Sequence, residues 1–177
     1  VFWSFISEHL DKDEELYLIA HNIAFDFRIV GGFDYAKQER WRMQFLYHKG
    51  MTTLLEYVTG QGTLRLLDMG NFFSTTLAEI GRVVGIEKIE VDFDTCSFQE
   101  LSDYCRNDVR ILIAAWESWL NFLDDHDLGD FRYTLAAQAM SAYRHNAMNY
   151  PIKIHADASV CELERQAYRG GRVECFS

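Results

Sequence analysis

Val1, Phe2, Phe5, Ile6 and Leu10 recur at helical spacing until the charged run 11–15 interrupts them, so the pattern predicts an amphipathic helix that ends there. Leu16-Tyr17-Leu18-Ile19-Ala20 is short and uniformly apolar, which reads as a buried strand with His21-Asn22 at its C-terminal end. A helix then starts near Ala24 and breaks at Gly31-Gly32, and Thr63 to Asp68 forms a second strand. Helical spacing returns over 77–84, where Gly85 is placed to close it. The clearest pattern is Leu101, Tyr104, Cys105, Val109, Leu112, Ile113, Trp116, Trp119, Leu120 and Leu123, a helix over 97–123 whose Ser97 and Glu100 form a capping-box signature. A further apolar helix spans 131–148 and ends at Pro151. Beyond it the pattern predicts a strand over 151–155, a helix over 158–168, the pair Gly170-Gly171 and a strand-like alternation to the end. Strands alternating with helices make an α/β body.

Composition narrows the function. The 177 residues are 49% hydrophobic, 25% charged and 15% aromatic with one proline, which excludes a disordered tail or linker. Seventeen Lys+Arg against 27 Asp+Glu give a net charge of -10, so any contact with a polyanion must be local. No apolar run approaches the ~20 residues that cross a bilayer, and no membrane partner is expected. Cys96, Cys105, Cys161 and Cys175 form no C-x-x-C pair, which argues against a zinc knuckle or a disulfide framework and for reduced thiols in a non-secreted, cytoplasmic setting. The chain opens on Val1 and stops inside the alternation Arg172 to Phe176, the mark of a piece of a longer polypeptide.

Two constellations carry chemistry. The first is His21-Asn22-Ile23-Ala24-Phe25-Asp26, where an apolar strand delivers an amide, an aromatic ring and a carboxylate within a few positions. The second is Tyr104-Cys105-Arg106-Asn107-Asp108, whose i, i+4 spacing puts a phenol and a carboxylate on one helix face. Carboxylates from separate elements suit a hydrolytic magnesium site, because hard cations take oxygen ligands and keep waters for reaction. Taken singly, Asn22 to Asp26 also fits a helix cap, and Tyr104 with Asp108 a face half in the core and half in solvent.

In this order the motifs resemble a family. Asn22-x-x-Phe25-Asp26 is similar to the Exo II motif, and Tyr104-x-x-x-Asp108 to the Exo III motif, of the DEDDy 3′ to 5′ exonucleases, which include the proofreading domains of family B DNA polymerases. Between them, Thr76-Leu77-Ala78-Glu79-Ile80 and Lys88-Ile89-Glu90-Val91 resemble the single-strand-binding (S/T)-L-x-x-h and K-x-x-h motifs of the protein-primed branch. Tyr168-Arg169-Gly170-Gly171 resembles that branch's Y-x-G-G element between exonuclease and polymerase domains. The resemblance implies an RNase H-like (DnaQ-like) α/β fold. It also implies a partial exonuclease domain over 1–127 and, over 128–177, a helix and connecting segment leading to a polymerase palm outside the sequence. The family's Exo I motif, Asp-x-Glu, is not matched; Asp13-Glu14-Glu15 has the letters but lies in a solvated charge run after a helix.

In the family's scheme two Mg2+ or Mn2+ ions do the hydrolysis, which assigns metal-ligand roles to Asp26 and Asp108 and a water-orienting role to Tyr104. Lys88 would lie near the scissile phosphate or orient Asp108. His21, Asn22, Phe25, Thr76 and Leu77 would grip the 3′-terminal nucleotides, and Tyr168, Arg169, Gly170 and Gly171 would contact template, with Arg165 and Arg172 close by. The partners implied are primer 3′ end, template and a terminal priming protein, in a viral or plasmid-encoded replication complex. The competing readings are a free-standing DEDDy exonuclease acting on DNA or RNA, and a non-catalytic module that binds single strands or a priming protein. Trp116 and Trp119, beside Ile113 and Leu120, are core or interface.

Overall fold

The computed structural model describes residues 2–12, 14–151 and 156–167, in two compact units, 1–147 and 148–177. The first is built from α1 (Phe2–Glu8), β1 (Glu15–Ala20), α2 (Ile23–Ile29), α3 (Gly32–Gln38), β2 (Arg42–Lys49), β3 (Thr52–Val58) and β4 (Thr63–Asp68). A 3-10 turn (Met69–Asn71) and three helices follow, α4 (Leu77–Val84), α5 (Phe98–Asp125) and α6 (Leu135–Asn146). The sheet order is β1-β4-β3-β2, with β1 and β4 parallel and the other neighbours antiparallel.

Side-chain alternation splits the core in two. Leu55 and Tyr57 of β3 stand opposite Leu66 and Leu64 of β4, and with Ile6, Leu10, Ile23, Phe27 and Ala36 they form a buried layer under α1, α2 and α3. Met69, Leu77, Ile80, Ile111 and Ala115 form the second layer, against which Ile19 and Trp116 pack. Each large apolar side chain, Leu, Ile, Phe or Met, withdrawn from water in these layers stabilises the fold by about 1.5–3 kcal/mol.

The α/β character and most elements agree with the hydrophobic pattern. Gly85 (φ 74) closes α4, and Ser97 with Glu100 makes the full reciprocal capping box of α5. Three elements are additional to it: Gly31, left-handed at φ 69, ends one helix and starts α3, and β2 with β3 forms a hairpin. The helix expected from residue 131 begins at Leu135, capped by Thr134. Asp127 and Gly129 turn the chain at positive φ, and Phe131 joins the rings of Phe72, Trp116 and Tyr133 instead of continuing a helix. The first compact unit runs to Ala147.

Within the second unit, α7 (Ala158–Ala167) starts on Asp157, whose carboxylate accepts from the Ser159 backbone N–H at 2.7 Å. Residues 152–155 of the expected strand, and Tyr168, Arg169, Gly170 and Gly171, lie outside the described residues. Among the described residues no helix is long and apolar enough to cross a membrane, and Cys96 and Cys105 are free thiols.

One buried amide ties the sheet to the segment before α6. Asn71, 5% exposed, accepts from Thr53 N–H (2.8 Å) and donates to the carbonyls of Thr53 (2.9 Å) and Tyr133 (3.0 Å). Asn71→Ala strands the buried Thr53 N–H and should cost about 2–4 kcal/mol in urea denaturation. A loss within experimental error would show that water replaces the amide there.

Candidate functional site

β1 ends at Ala20, opposite Asp68 at the end of β4, and the chain turns through His21 and Asn22 into α2. Asn22 adopts the left-handed conformation (φ 67, ψ 48), which asparagine tolerates better than most side chains, and its own side chain makes no capping bond. Asp68 holds the turn instead. Its carboxylate, in a residue 6% exposed, accepts from Ile23 N–H at 2.9 Å and from Gly70 N–H at 2.8 Å. Asp68 is absent from the motif reading; its one signal is a carboxylate closing the apolar strand Thr63 to Asp68.

With the turn fixed, α2 presents Phe25, 58% exposed, and Asp26 in its first turn. Asp26 is exposed as a residue, yet the desolvation its carboxyl does suffer, followed by the negative charge of Asp68, pushes its pKa above the usual aspartate range; a charged His21 acts in the opposite direction. The His21 Nδ1 atom is buried and has no hydrogen-bond partner.

The second group is centred on α5. Lys88 Nζ donates to both Asp108 carboxylate oxygens, at 2.7 and 2.9 Å, and lies 4.1 Å from the centroid of the Tyr104 ring. Both charged side chains are 21% exposed, so the pair is only partly screened by solvent. Burial by itself would lower the lysine pKa; the hydrogen bonds to Asp108 and Tyr104 outweigh it and hold the ammonium above its usual range. Asn107 brackets Lys88, accepting from Ile89 N–H (3.0 Å) and donating to the Glu87 carbonyl (3.2 Å). The Phe93 ring meets Tyr104 edge-on at 5.5 Å. Neither Asn107 nor Phe93 stands out from the motifs, although Asn107 directly precedes Asp108.

Thr76 is exposed and caps α4, its hydroxyl accepting from Glu79 N–H, while Leu77 is 8% exposed and belongs to the second core layer. Glu15, in the run that has the Asp-x-Glu letters, is in an ion pair with Arg65 and accepts from the Tyr17 hydroxyl at 2.7 Å. Arg165 pairs with Glu162 at 3.7 Å on the exposed surface of α7.

Of the expected site residues, Asp26 lies with His21 beside the unforeseen Asp68, and Asp108 lies with Lys88 and Tyr104. Among the described residues no cluster of three or more His, Cys, Asp or Glu side chains could hold a metal ion. Asp26 and Asp108 by themselves do not fit a two-ion centre.

No protein-family model and no curated protein matches the chain. Its fold is similar to solved structures of phi29 DNA polymerase. These are the post-translocation binary complex with primer-template DNA (TM-score 0.59), the ternary complex with primer-template DNA and incoming nucleotide substrates (0.60) and the complex with single-stranded DNA (0.55). In each case the identity is 16%, and the match covers 97% of this chain and 33% of the polymerase chain. The chain thus spans about a third of the length of the structures it matches, and at this identity the likeness is one of fold.

A carboxyl whose pKa is raised by folding favours the folded state while protonated and opposes it once ionised. Asp26→Asn should therefore raise the melting temperature at pH 7, well above the ordinary aspartate range, and give no gain near pH 3, below that range. Thermal melts of both proteins at the two pH values check this, and an equal shift at both would mean that the charge is not the cause.

Proposed function

We propose that this chain is the proofreading 3′ to 5′ exonuclease region of a protein-primed family B DNA polymerase, with an RNase H-like fold. The observation that carries the reading is the Lys88–Asp108–Tyr104 arrangement, in which a cation is fixed against the carboxylate and over the ring of the Tyr104-x-x-x-Asp108 motif. The fold likeness to phi29 DNA polymerase, a protein solved with primer-template and with single-stranded DNA, supports the same reading.

Each residue's task follows from its surroundings. Lys88 holds the Asp108 carboxylate in one orientation and keeps positive charge beside it, where negative charge develops during phosphodiester hydrolysis. The Tyr104 hydroxyl aims the attacking water. Phe25, its ring largely in solvent, stacks on the terminal base, and His21, Asn22 and Thr76 contact sugar and phosphate. Leu77, with its side chain in the core, seats the helix whose first residues make that contact. Tyr168, Arg169, Gly170 and Gly171 contact template in this reading.

The divalent ions of such an enzyme, Mg2+ or Mn2+, polarise the phosphate and lower the pKa of a bound water. Because Asp26 and Asp108 do not fit two ions by themselves, such an enzyme would need the carboxylates of an Asp-x-Glu element supplied by other residues of the polypeptide.

The 177-residue chain alone should therefore release no nucleotides from single-stranded 3′ ends in Mg2+ or Mn2+. In a polymerase that contains it, Asp108→Ala should abolish 3′-end trimming while nucleotide incorporation persists. Tyr104→Phe, which removes one hydrogen bond from the transition state, should slow trimming about tenfold to a hundredfold, equivalent to ~1–3 kcal/mol. Primer-degradation assays decide it: trimming by Asp108→Ala at the wild-type rate would sink the assignment.

A further inference from the structure

The outer edge of the sheet carries a surface that the proposed reaction does not use. β2 is the last strand in the order β1-β4-β3-β2, and all eight of its residues are exposed. Residues directly opposite in an antiparallel pair share a face. Met43, Leu46 and His48 stand opposite Tyr57, Leu55 and Thr53, the buried residues of β3. Arg42, Phe45, Tyr47 and Lys49 stand opposite Val58, Glu56, Leu54 and Thr52 and so share the other face. Strict alternation would separate Arg42 from Phe45; the register shift between Met43 and Phe45 brings it round to the same side.

That face therefore reads cation, ring, ring, cation. Phe45 is 47% and Tyr47 45% exposed, and two strand positions set them about 7 Å apart. Among the described residues neither Arg42 nor Lys49 is in an ion pair, and nor are Lys37 and Arg40 just before the strand. Residues 37–49 contain those four cations and one carboxylate, Glu39, in a chain whose net charge is -10. Glu56, the carboxylate on the same face of β3, is held by Arg65 Nε at 2.7 Å.

We propose that this face of β2 binds single-stranded nucleic acid, with two bases stacked on Phe45 and Tyr47 and the adjoining phosphates neutralised by Arg42 and Lys49. Rings supply a platform for any base, and cations outside ion pairs, Arg42 bonded to the neutral amide oxygen of Gln44 at 3.1 Å, supply the attraction that the rest of this acidic chain opposes. Edge-to-edge pairing with a second copy, the usual hazard of an exposed strand, brings like charges together here. The position of the strand fits as well. β2 runs parallel to β1 and β4 and ends at the Gly50-Met51 turn, which lies so close to Gly70 that a Cβ there would come within 2.5 Å of the Met51 carbonyl. Gly70 N–H is the group that Asp68 binds while it holds Ile23, so a nucleic-acid strand lying along β2 runs toward the end of the sheet that bears His21, Asn22 and Phe25.

The test is fluorescence anisotropy of a fluorescein-labelled oligothymidylate with the full 177-residue chain, in EDTA and across a salt series. Phe45→Ser with Tyr47→Ser should weaken binding at least about fivefold per ring without changing the salt slope, and tryptophan at both positions should restore it. Arg42→Ala with Lys49→Ala should flatten the log–log salt dependence by about 1.4, about 0.7 for each lost phosphate contact. All four side chains are exposed, so circular dichroism should show an unchanged fold. Wild-type affinity and slope in both double variants would overturn the proposal. So would sedimentation showing that Phe45→Ser with Tyr47→Ser dissociates a dimer and leaves oligothymidylate binding intact, which would assign the face to self-association.

Discussion

The candidate site depends on one buried carboxylate that accepts two backbone N–H groups. Asp68 closes β4, and its two oxygens reach Ile23 at the start of α2 and Gly70 in the turn that follows its own strand. A carboxylate taken out of water is costly unless its lone pairs are used, and charge-assisted bonds to amide N–H groups are among the strong ones available. The geometry has two consequences. It offsets the cost of the left-handed Asn22, which makes no cap bond of its own, and it fixes the helix that carries Phe25 and Asp26 relative to the ends of two parallel strands. Desolvation first, and then the same negative charge, raise the proton affinity of Asp26, so the group that organises the turn also contributes to the electrostatics of its neighbour.

The other half of the site is organised by a comparable device with different chemistry. Lys88 lies in the extended segment between α4 and α5, where no helix or strand positions it. Asn107 supplies the constraint by bonding the backbone on both sides of Lys88, and the ammonium is then closed between the Asp108 carboxylate and the Tyr104 ring. Because Asn107 and Asp108 are consecutive on α5, the helix that provides the carboxylate also provides the clamp on its partner. Orientation of Asp108 is thereby tied to the longest and best-capped helix in the protein, anchored through Ile111 and Ala115 in the second core layer.

These two devices also explain what could be read in advance. α4 and α5 show in the sequence because each buries one face and burial imposes a period, whereas β1 and β4 show as short apolar runs, β1 only partly buried and β4 mostly buried. The hairpin does not show because β2 buries neither face and its register shifts between Met43 and Phe45, while β3 carries Leu55 and Tyr57 inward and Leu54 and Val58 outward, so apolar residues occur on both sides. Asp26, Tyr104, Asp108 and Lys88 were visible as motif letters, and the structure joins the last three. Asp68 and Asn107 were not, because each binds backbone groups, and a side chain that serves N–H and C=O leaves no complementary residue to find. The start of α6 differs from the hydrophobic pattern for a related reason: Phe131 fits the pattern as one more apolar position of a helix, and its use lies in the ring cluster with Phe72 and Trp116.

The pairing of the basic residues separates their tasks. Arg65 is shared by Glu15, Glu56 and the Tyr17 hydroxyl, and its guanidinium lies 5.0 Å from the Tyr133 ring centroid, so it joins strands to the segment before α6. Lys88 is committed to Asp108, and Arg82, Arg106 and Arg132 are held by nearby carboxylates on the surface. Eight of the described Lys and Arg side chains, Lys12, Arg28, Lys37, Arg40, Arg42, Lys49, Arg110 and Arg144, are in none of the ion pairs among the described residues. Lys37, Arg40, Arg42 and Lys49 escape pairing together on one edge strand and its approach, beside two exposed rings. An acidic protein can meet a polyanion only where its own carboxylates do not compete, and by that criterion the β2 edge is open to it.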